Sequence, residues 1–124
     1  MLKILIISDS ILAAPIVSEL EALGHEITHL SNIDFAKEQI FHENYDIIFI
    51  DYKESQKLSN DEVFEIRYFS HIPYELPIYV LIENEKNKIN IEKRIIYSGV
   101  FPYTHSLNMI NEFITNFQPL STHD

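Results

Sequence analysis

The sequence predicts one α/β domain in three layers, a parallel sheet covered by helices on both faces. Three observations predict it. Short runs of consecutive apolar residues recur at Lys3–Ile7, Tyr45–Ile50 and Pro77–Ile82. They are rich in β-branched and aromatic residues, as strands buried on both faces are. Between them lie stretches whose apolar residues return every three or four positions, the period of a helix with one buried stripe. Strand-like and helix-like segments alternate, and that alternation builds a parallel sheet.

The elements follow in order. The first strand stops at Ser8-Asp9-Ser10. A helix over Ile11–Leu23 sets Leu12, Ile16, Leu20 and Leu23 on one face, and Gly24 closes it. Glu26–Leu30 alternates modestly and reads as the second strand. Asp34 is the expected N-cap of a helix over Phe35–Glu43. The third strand ends on Asp51. Asn60 or Asp61 caps a helix from Glu62 to about Ser70, with Val63, Ile66 and Phe69 inward. The fourth strand ends at Ile82, before Glu83-Asn84. A shorter helix over Ile91–Tyr97 runs to Ser98-Gly99. Val100–Tyr103 is the fifth strand, and Pro102, which has no N–H, sends it to an edge. Leu107–Phe117 is the last helix, apolar at Ile110, Phe113, Ile114 and Phe117. No repeat, linker or low-complexity segment interrupts the pattern.

Composition narrows the function. The 124 residues suit one domain over 1–124. There is no cysteine, so disulfides and thiolate metal sites are excluded, and a reducing, cytoplasmic setting is expected. The formal net charge of −10 repels nucleic-acid phosphates and anionic membrane surfaces. Asp9 interrupts the first apolar run too early for a signal-peptide core. No apolar stretch approaches the roughly 20 residues of a membrane helix.

In an open parallel sheet, ligands bind beyond the carboxyl ends of the strands. Ser8-Asp9, Asp51 and Ile82-Glu83 stand at those ends. If the first and third strands are neighbours, Asp9 and Asp51 converge, and paired carboxylates favour a hard cation such as Mg²⁺. Read otherwise, both merely cap the segments that follow them.

From Lys3 to about Phe117 the chain resembles the receiver domains of two-component response regulators, with Tyr45-Asp46-Ile47-Ile48-Phe49-Ile50 leading into Asp51. The resemblance implies a flavodoxin-like sheet of strand order 2-1-3-4-5. It implies that Asp51 is the phosphoacceptor, and that Mg²⁺ is held by Asp51, by Asp9 and by the main-chain carbonyl of Lys53. It also implies a signalling partner, a histidine kinase or a downstream protein. The usual partner face, formed by the fourth helix, fifth strand and fifth helix, would hold Tyr97, Phe101, Tyr103, Asn108 and Asn111, and would also serve a homodimer.

The chain departs from that pattern at several positions. Ser8 replaces one of two adjacent acids. Ile82 stands where the family has Thr or Ser, and donates nothing to a phosphoryl oxygen. The family's Lys after the fifth strand falls on Ser106, or on His105 with a shift of one. Without that cation a phosphoryl-Asp lacks its main charge partner. Tyr103 matches the family's switch aromatic, and Gly99 the glycine before the fifth strand. The expected state is a pseudo-receiver, a non-enzyme that keeps the scaffold and acts by protein–protein contact. The alternatives are a working phosphoacceptor at Asp51 with Mg²⁺, and a small-molecule-binding domain on the same layers.

Other motifs lead nowhere. His25-Glu26-Ile27-Thr28-His29 spells a zinc-protease signature, but that chemistry needs a helix, and Gly24 with β-branched Ile27 and Thr28 predicts a strand. His42, His71, His105 and His123 are scattered, and Lys86–Lys93 reads as a solvated, mixed-charge stretch. With two glycines in the chain and none in the turn that directly follows the first strand, a nucleotide-phosphate loop is not expected.

Overall fold

The computed structural model describes residues 1–68, 76–83, 97–103 and 106–117, the side chains of 68, 106 and 107 excepted. Its elements are β1 (Lys3–Ile7), α1 (Ala13–Ala22), β2 (Glu26–Leu30), α2 (Ile33–His42), β3 (Ile47–Asp51), α3 (Tyr52–Ser55), α4 (Asn60–Tyr68), β4 (Ile78–Ile82), β5 (Gly99–Pro102) and α5 (Ser106–Asn116). The five strands form one sheet of order β2-β1-β3-β4-β5, all neighbours parallel. This is the flavodoxin-like topology, with β5 and its Pro102 on an edge as expected. The helix expected over Ile91–Tyr97 lies outside the described residues apart from Tyr97.

The strands are apolar throughout because each face of the sheet has its own core. Leu5, Ile7, Ile48, Ile50, Ile78, Val80 and Ile82 pack with Ile33, Ala36 and Ile40 of α2 and Val63 and Ile66 of α4. The alternate residues Ile4, Ile6, Ile47, Phe49 and Leu81 pack with Ala13, Ile16 and Leu20 of α1 and Ile110 and Ile114 of α5. The period of two along each strand therefore decides which layer a side chain meets.

Helix boundaries follow local hydrogen bonding. α1 begins at Ala13, later than expected, with the Ala13 amide on Ser10 O and the Ala14 amide on Ile11 O. Pro15 falls within the first turn, where a missing N–H costs nothing. At the other end the Gly24 amide bonds to Glu21 O and the His25 amide to Leu20 O, around Gly24 at φ +93°. This paired closure needs a left-handed residue, and glycine takes it without strain. The cap of α2 is Asn32, whose side chain accepts from the Phe35 amide at 3.0 Å; Asp34 lies inside the first turn. Neither Asn60 nor Asp61 caps α4. Ser59 Oγ accepts from the Glu62 amide at 3.1 Å, and Glu62 Oε2 accepts from the Ser59 amide at 2.8 Å. This reciprocal box leaves fewer orphan donors than a single cap.

A short helix, α3, directly follows β3 and was not expected. Asp51 is its cap, accepting the Lys53 amide. Gly99 opens β5, where a Cβ would stand 2.9 Å from Tyr79 Cε1. Tyr79 in turn packs on Phe49, Phe101 and Phe113. Gly99 is thus required by close approach to a ring held on several sides.

Candidate functional site

Register places three polar side chains above the same face of the sheet. Ile6 pairs with Phe49 and Ile7 with Ile50, so the residues ending β1 and β3, Ser8 and Asp51, stand side by side. By alternation both fall on the layer shared with α1 and α5. Asp51 pairs with Leu81, and Leu81 with Phe101, two residues before Tyr103 on the same face. Asp51 and Tyr103 are thus two strands apart, roughly 10 Å. A long side chain ending in a hydroxyl spans that gap, reaching over β4.

Tyr103 does so. Its O–H donates to Asp51 Oδ2 at 2.6 Å, and its oxygen lies 2.6 Å from Ser8 Oγ. A phenol has one proton, and Asp51 receives it, so Ser8 is the donor in the second bond. Ser8 Oγ accepts from the Ser10 amide at 3.1 Å. Asp51 Oδ1 accepts the Lys53 amide at 2.9 Å. The result is a one-way chain, Ser10 N–H to Ser8 O–H to Tyr103 O–H to Asp51, closed on the far side by Lys53. Its side chains are sealed from solvent: Ser8 is 1% exposed, Asp51 2% and Tyr103 6%. Burial, and then donation to Asp51, push the Tyr103 phenol well above its ordinary range, so it remains a proton donor.

The other expected metal ligand points elsewhere. Asp9 is 55% exposed and faces Lys53 Nζ at 3.8 Å. Lys53 is tied to both acids by its own nitrogen atoms. Among the described residues no group of three or more His, Asp or Glu gathers to hold a metal. The donor set does not fit Mg²⁺ well: one carboxylate is closed by a phenol, the other paired with an ammonium, and Ser8 replaces a third. Glu83, at the end of β4, is exposed and accepts from Ser10 Oγ at 3.2 Å.

The remaining expected positions divide. Ile82 packs into the core under α2 and α4 and offers no donor. Ser106 begins α5, and its side chain, like all of His105, lies outside the described residues, as do His71, His123 and the Lys86–Lys93 stretch. Tyr103 directly follows β5. The expected partner face needs correction. Tyr97 and Tyr103 are buried at 6% each and cannot meet a partner. Phe101 is half-buried among Phe49, Tyr79 and Phe113. Asn111 donates to Glu19 Oε1 at 2.8 Å, tying α5 to α1. Asn108 is exposed, and so are two residues not anticipated, Val100 and Met109. Met109 lines a shallow groove of about 610 Å³ with Glu112, Phe113, Asn116 and Phe117.

Sequence reasoning also missed Glu54. It is 3% exposed, accepts the Ile33 amide at 2.9 Å and pairs with Lys57 Nζ at 2.8 Å. It thereby ties α3 to the start of α2.

The zinc-like motif lies on β2 and binds backbone. His25 Nδ1 accepts the Leu2 amide at 3.0 Å, and His29 Nε2 lies 3.0 Å from Ser8 O. Burial, then the nearby N-terminal amine, lower the His25 pKa from 6.5. Between the folded and unfolded values the unfolded chain binds more protons, so stability rises with pH there. Stability should be full above pH 6.5 and decline as pH falls from 6.5 toward the lower folded value. Urea unfolding of wild type and His25→Leu across that window checks it; parallel pH profiles would refute the assignment.

No protein-family model matches the sequence, and no curated protein matches it. Solved structures do. The N-terminal domain of a response regulator/sensory box/GGDEF three-domain protein from Carboxydothermus hydrogenoformans superposes with a TM-score of 0.74 at 19% identity, over 91% of this chain and 90% of that one. A response regulator from Burkholderia pseudomallei, solved with a phosphorylated aspartic acid, calcium and citrate, gives 0.68 at 16% identity, over 98% and 68%. The receiver domain of a sensor histidine kinase from Pseudomonas aeruginosa, with magnesium in its active-site cleft, gives 0.60 at 14%, over 93% and 98%. The chain therefore has the five-stranded, flavodoxin-like fold of response-regulator receivers.

Proposed function

We propose that this chain is a receiver-type domain of two-component signalling that acts by protein–protein contact, without phosphoryl transfer at Asp51. The observation that carries the reading is the state of Asp51: each carboxylate oxygen is bonded by a donor of the chain itself, under a buried tyrosine. Phosphoryl transfer depends on positioning and on cations that meet developing charge. Here the phenol stands over the acid, and the carboxylate that would assist a cation is a serine.

The partner is a signalling protein, a kinase or a downstream target, or a second copy of the chain, and the setting is cytoplasmic. Among the described residues no helix is long and apolar enough to cross a membrane. The contact face keeps the β5–α5 side but moves outward, to Val100, Asn108 and Met109. Exposed apolar side chains beside a polar rim suit a modest, reversible interface.

Val100→Asp with Met109→Asp should abolish partner binding or self-association, read by pull-down against the cognate kinase and by sedimentation velocity. Asp51→Asn should leave both within about twofold, since twofold is well under 1 kcal/mol. The converse pattern, loss with Asp51→Asn and none with the surface pair, would replace this reading by a phosphoacceptor.

A further inference from the structure

Resting on the protein–protein reading, we infer that the groove along α5 receives a basic amphipathic helix of the partner, with apolar side chains seated on Met109, Phe113 and Phe117 and a Lys or Arg on Glu112. The lining residues Met109, Glu112, Phe113, Asn116 and Phe117 recur every three or four positions on one side of α5 and its end. That is the spacing of a stripe that packs against a second helix. It runs for about 12 Å, two helical turns. Ile110 and Ile114 face the sheet, so this is a second stripe beside the core-facing one, and Phe113 and Phe117 lie partly buried where the two meet. Its floor is fixed in advance. The Phe113 ring centroid lies 5.0 Å from Tyr79, 5.2 Å from Phe101 and 5.6 Å from Phe117. Met109, 48% exposed, stands beside it with an unbranched, polarisable side chain that adapts to what it meets.

Charge selects the occupant. α1, β5 and α5 carry no Lys or Arg, whereas Glu19, Glu21 and Glu112 lie on the two helices. The described lysines are committed elsewhere: Lys3 to Glu43, Lys37 to Glu62, Lys53 to Asp9 and Lys57 to Glu54. Among the described residues Glu112 makes no ion pair. Asn116 turns its Nδ2 onto Glu112 O at 2.9 Å, so the rim presents acceptors to an incoming donor. A second copy fits poorly. It would bring together two chains of formal net charge −10, and two turns of one helix fall short of the roughly 800 Å² per partner that a standard interface buries. A cationic helix turns the same charge into attraction and speeds encounter.

The test titrates an amphipathic peptide of about 18 residues built from Leu and Lys, and its Leu and Glu counterpart, into the full chain. It reads the methyl and amide resonances of Met109, Glu112 and Phe113. The Lys peptide should give saturable shifts there, and the Glu peptide should bind at least about tenfold more weakly. Glu112→Lys should weaken the Lys peptide about tenfold and Met109→Ala about fivefold; both side chains are exposed, so the fold is kept. Glu38→Lys makes the same change of charge on α2, at a side chain 85% exposed, and should leave binding within about twofold. Equal binding of the two peptides, or equal losses from Glu38→Lys and Glu112→Lys, would reduce the effect to bulk charge and overturn the assignment. Silence at α5 with both peptides would also overturn it, as would shifts that grow with the chain's own concentration, the mark of a second copy in the groove. If no peptide seats there while Val100→Asp with Met109→Asp still releases the partner, the basic-helix chemistry is refuted and the contact reading stands. Loss of the partner with Asp51→Asn alone, the Lys peptide still seated on α5, would instead overturn that reading.

Discussion

Replacing Asp51 by Ala should destabilise the fold by about 3 kcal/mol, because two buried hydroxyls and a part-buried amide lose their arrangement at once. The Tyr103 hydroxyl loses its acceptor in a site it cannot leave without exposing its ring. The Lys53 amide loses its cap at the start of α3. Ser8, donor to the phenol, then meets an oxygen free to turn its own proton back. The sign separates this arrangement from an open acidic pocket. Where carboxylates crowd together, deleting one relieves repulsion and stabilises the chain. Here Asp51 is an acceptor among donors, and its loss costs stability. Urea denaturation of Asp51→Ala and Asp51→Asn, compared by midpoint at constant slope, measures it. Asparagine keeps an acceptor and should lose roughly half as much. An alanine variant as stable as wild type would show that the buried chain contributes nothing.

Glu54→Ala should cost about 2 kcal/mol, most of it from the Ile33 amide. That amide is buried at the first turn of α2, where a carboxylate also meets the positive end of the helix dipole. Lys57, the other partner, has a side chain 54% exposed, so that half of the interaction is screened and small. The pair of variants Glu54→Gln and Lys57→Ala apportions the effect. Glutamine should recover about half the loss by keeping an acceptor, and Lys57→Ala should cost under about 0.5 kcal/mol. The reverse order would place the stabilisation in the ion pair. Thermal unfolding of the three variants decides it.

The layers of this fold were legible because the code for them is short-range. Ile47-Ile48-Phe49-Ile50 alternates between two cores, and that needs only neighbours to be read. The alternation even sets Asp51 on a definite face. The caps were half-legible. Ser59-Asn60-Asp61-Glu62 carries a box signature, but adjacent Asn and Asp offer equally good single caps. Glu54 could not be found, since its partner lies 21 residues away and nothing local marks a buried acid. Tyr103 was found for the wrong reason. The resemblance made it a switch aromatic on a partner face, whereas β5 stops at Pro102 and Tyr103 lies buried at the sheet's end, bonded to Asp51. Its target is set by the order of strands in space, which one-dimensional spacing does not hold.

The hydrogen bonds of Tyr103 join residues 95 and 52 positions apart in sequence, across strands that must already be paired in parallel. Closing such loops is slow, and the bonds form only after β1, β3, β4 and β5 have assembled. Late formation of these bonds, after the strands pair, is the expected order. Substitutions at Tyr103 or Ser8 will leave the refolding rate almost unchanged and appear as faster unfolding. On that expectation the phenol acts as a brake on opening more than an aid to assembly.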